Sequence, residues 1–123
     1  MLPARYRMRS SAEFSATTRR GSRTRAGDLV IYLGQPAGTN TAGINAPDTA
    51  KVGLIVGRTV GGSVVRHQVS RRLRAQLAGL LDQLPAGSRL VVRALPGAAT
   101  AGSATLGRDL QLAVSRLTTG TRR

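Results

Sequence analysis

The sequence predicts an α+β sandwich, in which a sheet and helices form two packed layers. Three short segments carry apolar residues with a period of two, as half-buried strands do. Two longer segments repeat apolar residues every three or four positions, which is typical of amphipathic helices. Because a strand, a long helix and a strand follow one another over residues 51–95, they are expected to pack as two layers. With 123 residues, the chain is expected to form one domain, 1–123.

The first residues, 1–9, are predicted to be extended, because a proline near the start disfavours a helix. In an extended segment alternate residues share a side, so Arg5, Arg7 and Arg9 would lie together. Met8 would then point the other way. A frayed basic tail is an equally good interpretation.

A short helix is predicted over residues 10–20, where Ser10 and Glu13 have the spacing of a capping box. Gly21 follows as a plausible stop. Phe14 is the only phenylalanine. On a short helix with a thin apolar face, it is either a core residue or a surface on which an unpaired base stacks.

Two strands and a loop are predicted next. Residues 22–27 are either a basic connector or a short edge strand, and a strand over 28–33 follows. Its alternation places Val30 and Tyr32 on one face, so that Tyr32 is expected to be half-exposed. Residues 34–50 are small, polar and broken by proline and glycine, with no basic or aromatic residue. They predict a flexible loop, and disorder is favoured over a functional role.

The most basic element of the chain is predicted to be a long helix. The strand before it, 51–57, carries Gly53 and Gly57 on one face, which leaves that face shallow and open to close approach by another backbone or a ligand. A glycine turn follows, and Ser63 is a natural N-cap for a helix over 64–84. The apolar stripe of this helix consists of Val65, Val69, Leu73, Leu77, Leu80 and Leu84.

Polar and basic side chains occupy the rest of that helix. On a helical wheel, His67, Arg71 and Arg74 cluster opposite the apolar stripe. Gln68 extends this polar face, and Arg72 borders the stripe.

The chain is predicted to end with a strand and a helix. The strand covers residues 89–95, and Ser103 can cap the helix, which a basic tail, 118–123, follows. The apolar face of this helix is formed by Leu106, Leu110, Val114 and Leu117.

The charge indicates a polyanionic partner. Nineteen basic residues face five acidic ones, so the net charge is +14. All basic residues except Lys51 are arginine, whose planar fork suits phosphate and stacks on bases. A surface of mixed charge is usually only solvated, but residues 58–74 contain no acid. This favours contacts with the phosphates and shape of RNA.

Several other classes of protein are disfavoured. The chain has no cysteine, so disulfides and thiolate metal sites are excluded. Apolar runs are too short for a membrane span, and no secretory signal is expected. Scattered acids and the single histidine, His67, offer no acid–base pair or metal cage, and the glycine turn is not a P-loop. No catalytic residue and no metal site are therefore expected in the protein.

The stretch KVGLIVGRTVGGSVVRHQVSRRLR resembles the protein component of bacterial ribonuclease P. That family has a strand of the type RVGLSVS, followed by KKVGNAVVRNRIKRRLRE. Residues 51–54 match the strand, 60–61 the turn, and 64–66 with 71–74 the helix. The opening LPARYRMRSSAEF and the later VRALPGAA also resemble family segments, so the likeness covers most of the chain. Departures from the pattern occur at Thr59, His67, Gln68 and Ser70.

The resemblance implies an α-β-β-β-α-β-α order around a four-stranded sheet. It also implies a left-handed strand–helix–strand crossover, which general topology rules would not predict. The implied function is that of a ribonucleoprotein whose catalytic RNA holds the Mg²⁺ ions and removes the 5′ leader from precursor tRNA. The protein would bind both RNAs and be inactive alone. A cytoplasmic location, without a membrane or a required protein partner, is expected.

The same resemblance implies the site residues. Contacts with the catalytic RNA are expected from Arg58, Arg66, His67, Gln68, Arg71, Arg72 and Arg74. The leader is expected in a cleft between the first helix and the sheet, with contacts from Arg5, Arg7, Arg9, Phe14, Tyr32 and Lys51. As a cleft aromatic, Phe14 would be partly exposed.

Three alternative functions compete with this one. The chain could be a ribosomal-type RNA-binding protein, a metal-dependent nuclease, or a basic amphipathic protein of a membrane surface. The missing carboxylate cluster argues against the nuclease. The flanking strands and the lack of interfacial aromatic residues argue against the membrane protein.

Overall fold

The computed structural model describes residues 7–8, 11–34, 50–84 and 87–120. The sequence-based interpretations of Arg5, Arg9 and Ser10, and of the loop between Gly34 and Ala50, lie outside these residues. In chain order, the elements are α1 (Ser11–Arg20), β1 (Ser22–Ala26), β2 (Leu29–Gly34), β3 (Lys51–Ile55), α2 (Ser63–Ala78), β4 (Arg89–Ala94) and α3 (Ser103–Gly120).

Two short 3-10 helices complete the described elements. Leu81–Gln83 follows α2, and Pro96–Ala99 follows β4. The order of helices and strands is the α-β-β-β-α-β-α order that the resemblance implied.

The four strands form one mixed sheet in the order β1-β2-β4-β3. β1 pairs antiparallel with β2, and β2 pairs antiparallel with β4. β3 pairs parallel with β4, so α2 connects two parallel neighbouring strands, as the predicted strand–helix–strand unit requires. The left hand of this crossover remains a prediction. Residues 22–27 contain an edge strand, which decides between the two interpretations of that segment.

The sheet has two differently covered faces. One face, with Ile31, Val52 and Leu90, packs in the main core together with α2 and α3. The other face carries Tyr32 and Val91, and α1 lies on it. The alternation predicted for the second strand is therefore confirmed, because its odd-numbered residues enter the main core.

Helix α2 begins one residue earlier and ends six residues earlier than predicted. Gly62 is the N-cap and makes no side-chain hydrogen bond, so the assignment of Ser63 as N-cap was wrong. The helix ends before Gly79, because glycine disfavours helix by about 1 kcal/mol relative to alanine. Leu80 and Leu84 are nevertheless buried, since the following 3-10 turn returns them to the core.

Helix α3 has the apolar face that its spacing predicts. All four predicted residues are buried, with Leu106 and Leu110 completely inaccessible. The helix runs on to Gly120, so the predicted tail begins later than residue 118. The Thr118 Oγ1 hydroxyl donates to the Val114 carbonyl at 2.7 Å, which satisfies a polar side chain within the helix. None of the helices in the described ranges could span a membrane.

Candidate nucleic-acid interface

A basic groove lies along one side of α2. Its lining residues on the helix recur three or four positions apart and therefore share one face. The groove has a volume of about 280 Å³. It is lined by Val56, Ser63, Arg66, His67, Ser70 and Arg74.

The turn before α2 positions the first residues of the helix beside this groove. Val60 is buried and anchors the turn, and its N–H donates to the Gly57 carbonyl at 3.1 Å. The Gly61 N–H donates to the Arg58 carbonyl at 3.1 Å. Arg58 is exposed on this turn, so its side chain lies at the approach to the helix.

The groove is positive and lacks internal compensation. Within the described part of the chain, the side chains of Arg66, His67 and Arg74 have neither an ion pair nor a hydrogen bond. The Arg66 Nε is buried without a hydrogen-bond partner among these residues. Such an unmet donor costs roughly 1–3 kcal/mol.

The start of α2 adds to the positive potential. Its first turn contains no acidic residue, and the N-cap supplies no side-chain acceptor. The first N–H groups of the helix therefore remain available, and the helix dipole favours negative charge at this end. A phosphate group fits this environment.

The predicted RNA-contacting residues separate into two neighbouring strips. Arg66, His67 and Arg74 line the groove. Gln68 and Arg71 are exposed on the outer side of the helix. Both strips are accessible to a large folded partner, because neither is covered by another described element.

Arg72 is placed differently from the other arginines of α2. It is half-buried, and its Nη1 donates to the Ala101 carbonyl at 3.2 Å. This contact ties α2 to the segment that leads into α3. The helical wheel placed Arg72 only at the border of the apolar stripe. A helical wheel does not predict hydrogen bonds to residues outside the helix, so the contact with Ala101 was not foreseen.

We expect Arg72→Ala to act mainly on stability. The hydrogen bond to Ala101 contributes roughly 0.5–1.5 kcal/mol, so the free energy of unfolding should fall by about this amount. Chemical denaturation measures that loss. Affinity for RNA should fall less than in Arg66→Ala, and the reverse ranking would place Arg72 in the interface.

The face under α1 contains an aromatic residue seated on a glycine. A Cβ at position 53 would overlap the Phe14 ring, so the ring occupies the space that Gly53 leaves. The shallow face predicted for the third strand is confirmed at Gly53, but its occupant is this side-chain ring and not another backbone or a ligand. Phe14 is half-buried, as its match to a cleft aromatic implied.

Tyr32 is less accessible than predicted. It is 8% exposed, so the expectation of a half-exposed ring was wrong. Met8 and Val91 form a cluster with it, and Phe14 packs against this cluster. Tyr32 therefore belongs to the cluster against which Phe14 packs.

The remaining residues assigned to the cleft lie at the β3 edge. The Met8 N–H donates to the Val52 carbonyl at 2.8 Å, so residues 7–8 extend the sheet. Because neighbouring residues of an extended segment alternate, Arg7 points away from the cluster that Met8 joins. Lys51 lies on the same face as Gly53 and is half-buried. The structure thus groups Lys51 with Phe14 and separates Arg7 from them.

Sequence reasoning missed three exposed arginines on the face of Tyr32, namely Arg23, Arg25 and Arg93, and Arg23 lies directly beside Tyr32 itself. Arg25 in β1 and Arg93 in β4 both lie beside Val30 of β2. Alternation within the fourth strand could have placed Arg93 on the face of Val91. The register of β1 against β2, which places Arg25 beside Val30, could not be predicted.

The acidic residues offer no metal cage. Within the described ranges, no three His, Cys, Asp or Glu side chains come together in a way that could hold a metal ion. Asp28 packs against Gly97, and Asp109 packs against Gly27. These two carboxylates therefore lie against turns of the chain.

Known protein families match almost the whole chain. The family profile described as Ribonuclease P matches residues 2–118. The chain is 48% identical over 116 residues to a ribonuclease P protein component from Mycobacterium sp. (strain KMS), covering 94% of this chain and 92% of that one. It is 46% identical over 121 residues to the one from Streptomyces bikiniensis, covering 98% of each.

Solved structures show the same fold. The RNase P protein of Staphylococcus aureus superimposes with a TM-score of 0.74 at 18% identity, covering 89% of this chain and 93% of that one. The RNase P protein from Thermotoga maritima gives a TM-score of 0.71 at 18% identity, with coverage of 89% and 96%.

Proposed function

Because this chain belongs to the ribonuclease P protein family, we propose that α2 binds the ribonuclease P RNA and that the α1 side of the sheet holds the 5′ leader of precursor tRNA. The chain is the protein component of a ribonucleoprotein endoribonuclease. Its own role is binding, and the RNA subunit carries the catalysis.

The groove on α2 is the observation that carries this proposal. Its cations have no partner in the described part of the chain, and the buried Arg66 Nε is an unmet donor. Arginine meets two phosphate oxygens at once, and contacts of this kind recognise the backbone and shape of folded RNA. Arg66, His67 and Arg74 would bind within the groove, and Arg58, Gln68 and Arg71 would bind around it.

The Phe14 side of the sheet supports binding of a single strand. A half-buried ring on a flat glycine floor offers a face on which an unpaired base can stack, and Lys51 lies on the same face. Arg5, Arg7 and Arg9 are assigned to the leader together, and by alternation they would contact it from the opposite side of that segment from Phe14. A duplex, whose bases are already stacked, would not use this ring.

Mg²⁺ is proposed to be held by the RNA subunit. The described residues provide no carboxylate cluster that would fit the ion. The protein would instead neutralise phosphates where the RNA subunit and the leader approach each other, which reduces their repulsion. We further propose that the chain acts as one domain in the cytoplasm without another protein partner.

Reconstitution tests this function. Ribonuclease P RNA and precursor tRNA are incubated at low Mg²⁺ with and without the protein, and the release of the leader is measured. Cleavage should appear when the protein and the RNA subunit are combined, and the protein alone should be inactive. Cleavage by the protein alone would favour a metal-dependent nuclease. No effect on the RNA subunit would favour a ribosomal-type RNA-binding protein.

A further inference from the structure

The basic groove on α2 contains the single histidine of the chain. His67 lines the groove together with Arg66 and Arg74, and it is exposed. Its side chain makes neither an ion pair nor a hydrogen bond with the described residues. Histidine is the side chain whose charge ordinarily changes between pH 5 and 8. The groove therefore combines arginines, whose charge is constant in this range, with one group that can gain or lose a proton.

The surroundings of His67 are neutral or positive. Side chains three and four positions apart are neighbours on the surface of a helix. These neighbouring positions of α2 hold Ser63, Val64, Ser70 and Arg71. From outside the helix, the groove is lined by Val56, and Arg58 is exposed on the turn that leads into α2. No acidic side chain of the described residues therefore faces the imidazole ring.

The acids whose side chains the structure describes lie in other parts of the fold. Asp28 and Asp109 pack against turns of the chain at the sheet. Asp82 lies in the 3-10 helix that follows the opposite end of α2. Since none of the three lines the groove, an anion that faces His67 must come from a bound partner.

We infer that His67 binds a phosphate of ribonuclease P RNA as the protonated ring, so that assembly of the ribonucleoprotein takes up a proton. A phosphate beside an imidazole stabilises its charged form, and the charged ring donates from both nitrogens. Arg66 and Arg74 would bind phosphate over the same pH range without change, because a guanidinium keeps its proton. Affinity for the RNA would therefore be greatest at low pH and fall as the pH rises.

This inference rests on the proposed function and adds a dependence on pH to it. Position 67 is one at which the chain departs from the family pattern quoted above, which has asparagine there. An asparagine amide can donate a hydrogen bond to phosphate, but it carries no charge and takes up no proton. The dependence on pH would thus come from this chain's own residue, and replacement by asparagine should remove it.

The test measures affinity for ribonuclease P RNA between about pH 5.5 and pH 8 at constant ionic strength. Wild type should bind about tenfold more weakly at the upper end of this range, because one charged contact is lost. His67→Asn should show the weaker affinity throughout. His67→Lys stays charged and should keep the affinity that wild type has at low pH. Arg108→Ala removes a positive charge from α3 and should retain the wild-type dependence on pH.

Calorimetry measures the proton uptake itself. Heats of binding are compared in buffers that differ in ionisation enthalpy, and wild type should take up more protons than His67→Asn, by at most about one. Subtracting the variant removes the protons that the RNA takes up. A wild-type affinity that does not change with pH, the same pH dependence in His67→Asn, or equal proton uptake by the two proteins would each overturn the inference.

Failure of the proposed function gives a different result. If Arg66→Ala binds ribonuclease P RNA as tightly as wild type at every pH, α2 is not the interface and the proposed function fails. If Arg66→Ala binds weakly while the wild-type affinity is independent of pH, only the inference about His67 fails.

Discussion

Replacing Arg66 and Arg71 together with alanine is expected to weaken binding of ribonuclease P RNA by about a hundredfold. Arg66 lines the groove and Arg71 lies on the outer strip of α2. Hydrogen bonds to charged groups contribute roughly 1.5–3 kcal/mol each, and each 1.4 kcal/mol is about a factor of ten in Kd. Each single substitution should therefore cost about tenfold.

The salt dependence distinguishes a phosphate contact from damage to the fold. Each lost phosphate contact lowers the slope of log K against log salt by about one, so the double variant should lose about two. Binding is measured by titration over a range of salt concentrations. Arg108→Ala removes the same charge from an exposed position on α3 and should keep the wild-type slope. Unchanged affinity and slope in the Arg66 and Arg71 variants would remove α2 from the interface.

Gly53→Val is expected to reduce affinity for precursor tRNA without weakening binding of the RNA subunit. The added side chain would overlap the Phe14 ring and force it away from the sheet. Overpacking of this kind costs roughly 1–3 kcal/mol of stability. Denaturation and leader-dependent affinity are both measured.

A double-mutant cycle identifies the cause of this loss. Phe14→Ala removes the ring that the introduced valine side chain would strike, so the combined variant should be more stable than the sum of the two single effects. Its affinity for the leader should equal that of Phe14→Ala alone. Additive losses in both quantities would show that Gly53 acts independently of Phe14.

Local patterns in the sequence were sufficient to predict most of the helices and strands. The spacing of Leu106, Leu110 and Val114 predicted the buried face of α3, because a regular helix repeats its side chains at a fixed angle. Gly53 predicted a close approach, because a strand residue without a side chain leaves a space. Phe14 fills the space above Gly53 because of the way α1 packs on the sheet. Periodicity alone could not predict which side chain would fill that space.

Contacts between distant segments explain what the sequence left open. Tyr32 is buried because residues 7–8 and α1 both close over it, and Arg72 is engaged because Ala101 lies opposite it. Leu80 fits the spacing of α2 but lies beyond its end, since a 3-10 turn can also direct a leucine into the core. Tyr32 and Arg72 contact residues that are remote in sequence, and at Leu80 the backbone changes from an α-helix to a 3-10 turn.

Directed cleavage of the RNA subunit tests most directly whether α2 faces it. The chain has no cysteine, so a single one can carry a tethered iron chelate. Gln68→Cys places the chelate on the exposed side of α2, and Leu112→Cys places it on α3, where Leu112 is 45% exposed. In the assembled ribonucleoprotein, position 68 should cut ribonuclease P RNA at defined nucleotides, and position 112 should not. Cutting from position 112 with none from position 68 would contradict the assignment of α2 as the RNA-binding helix.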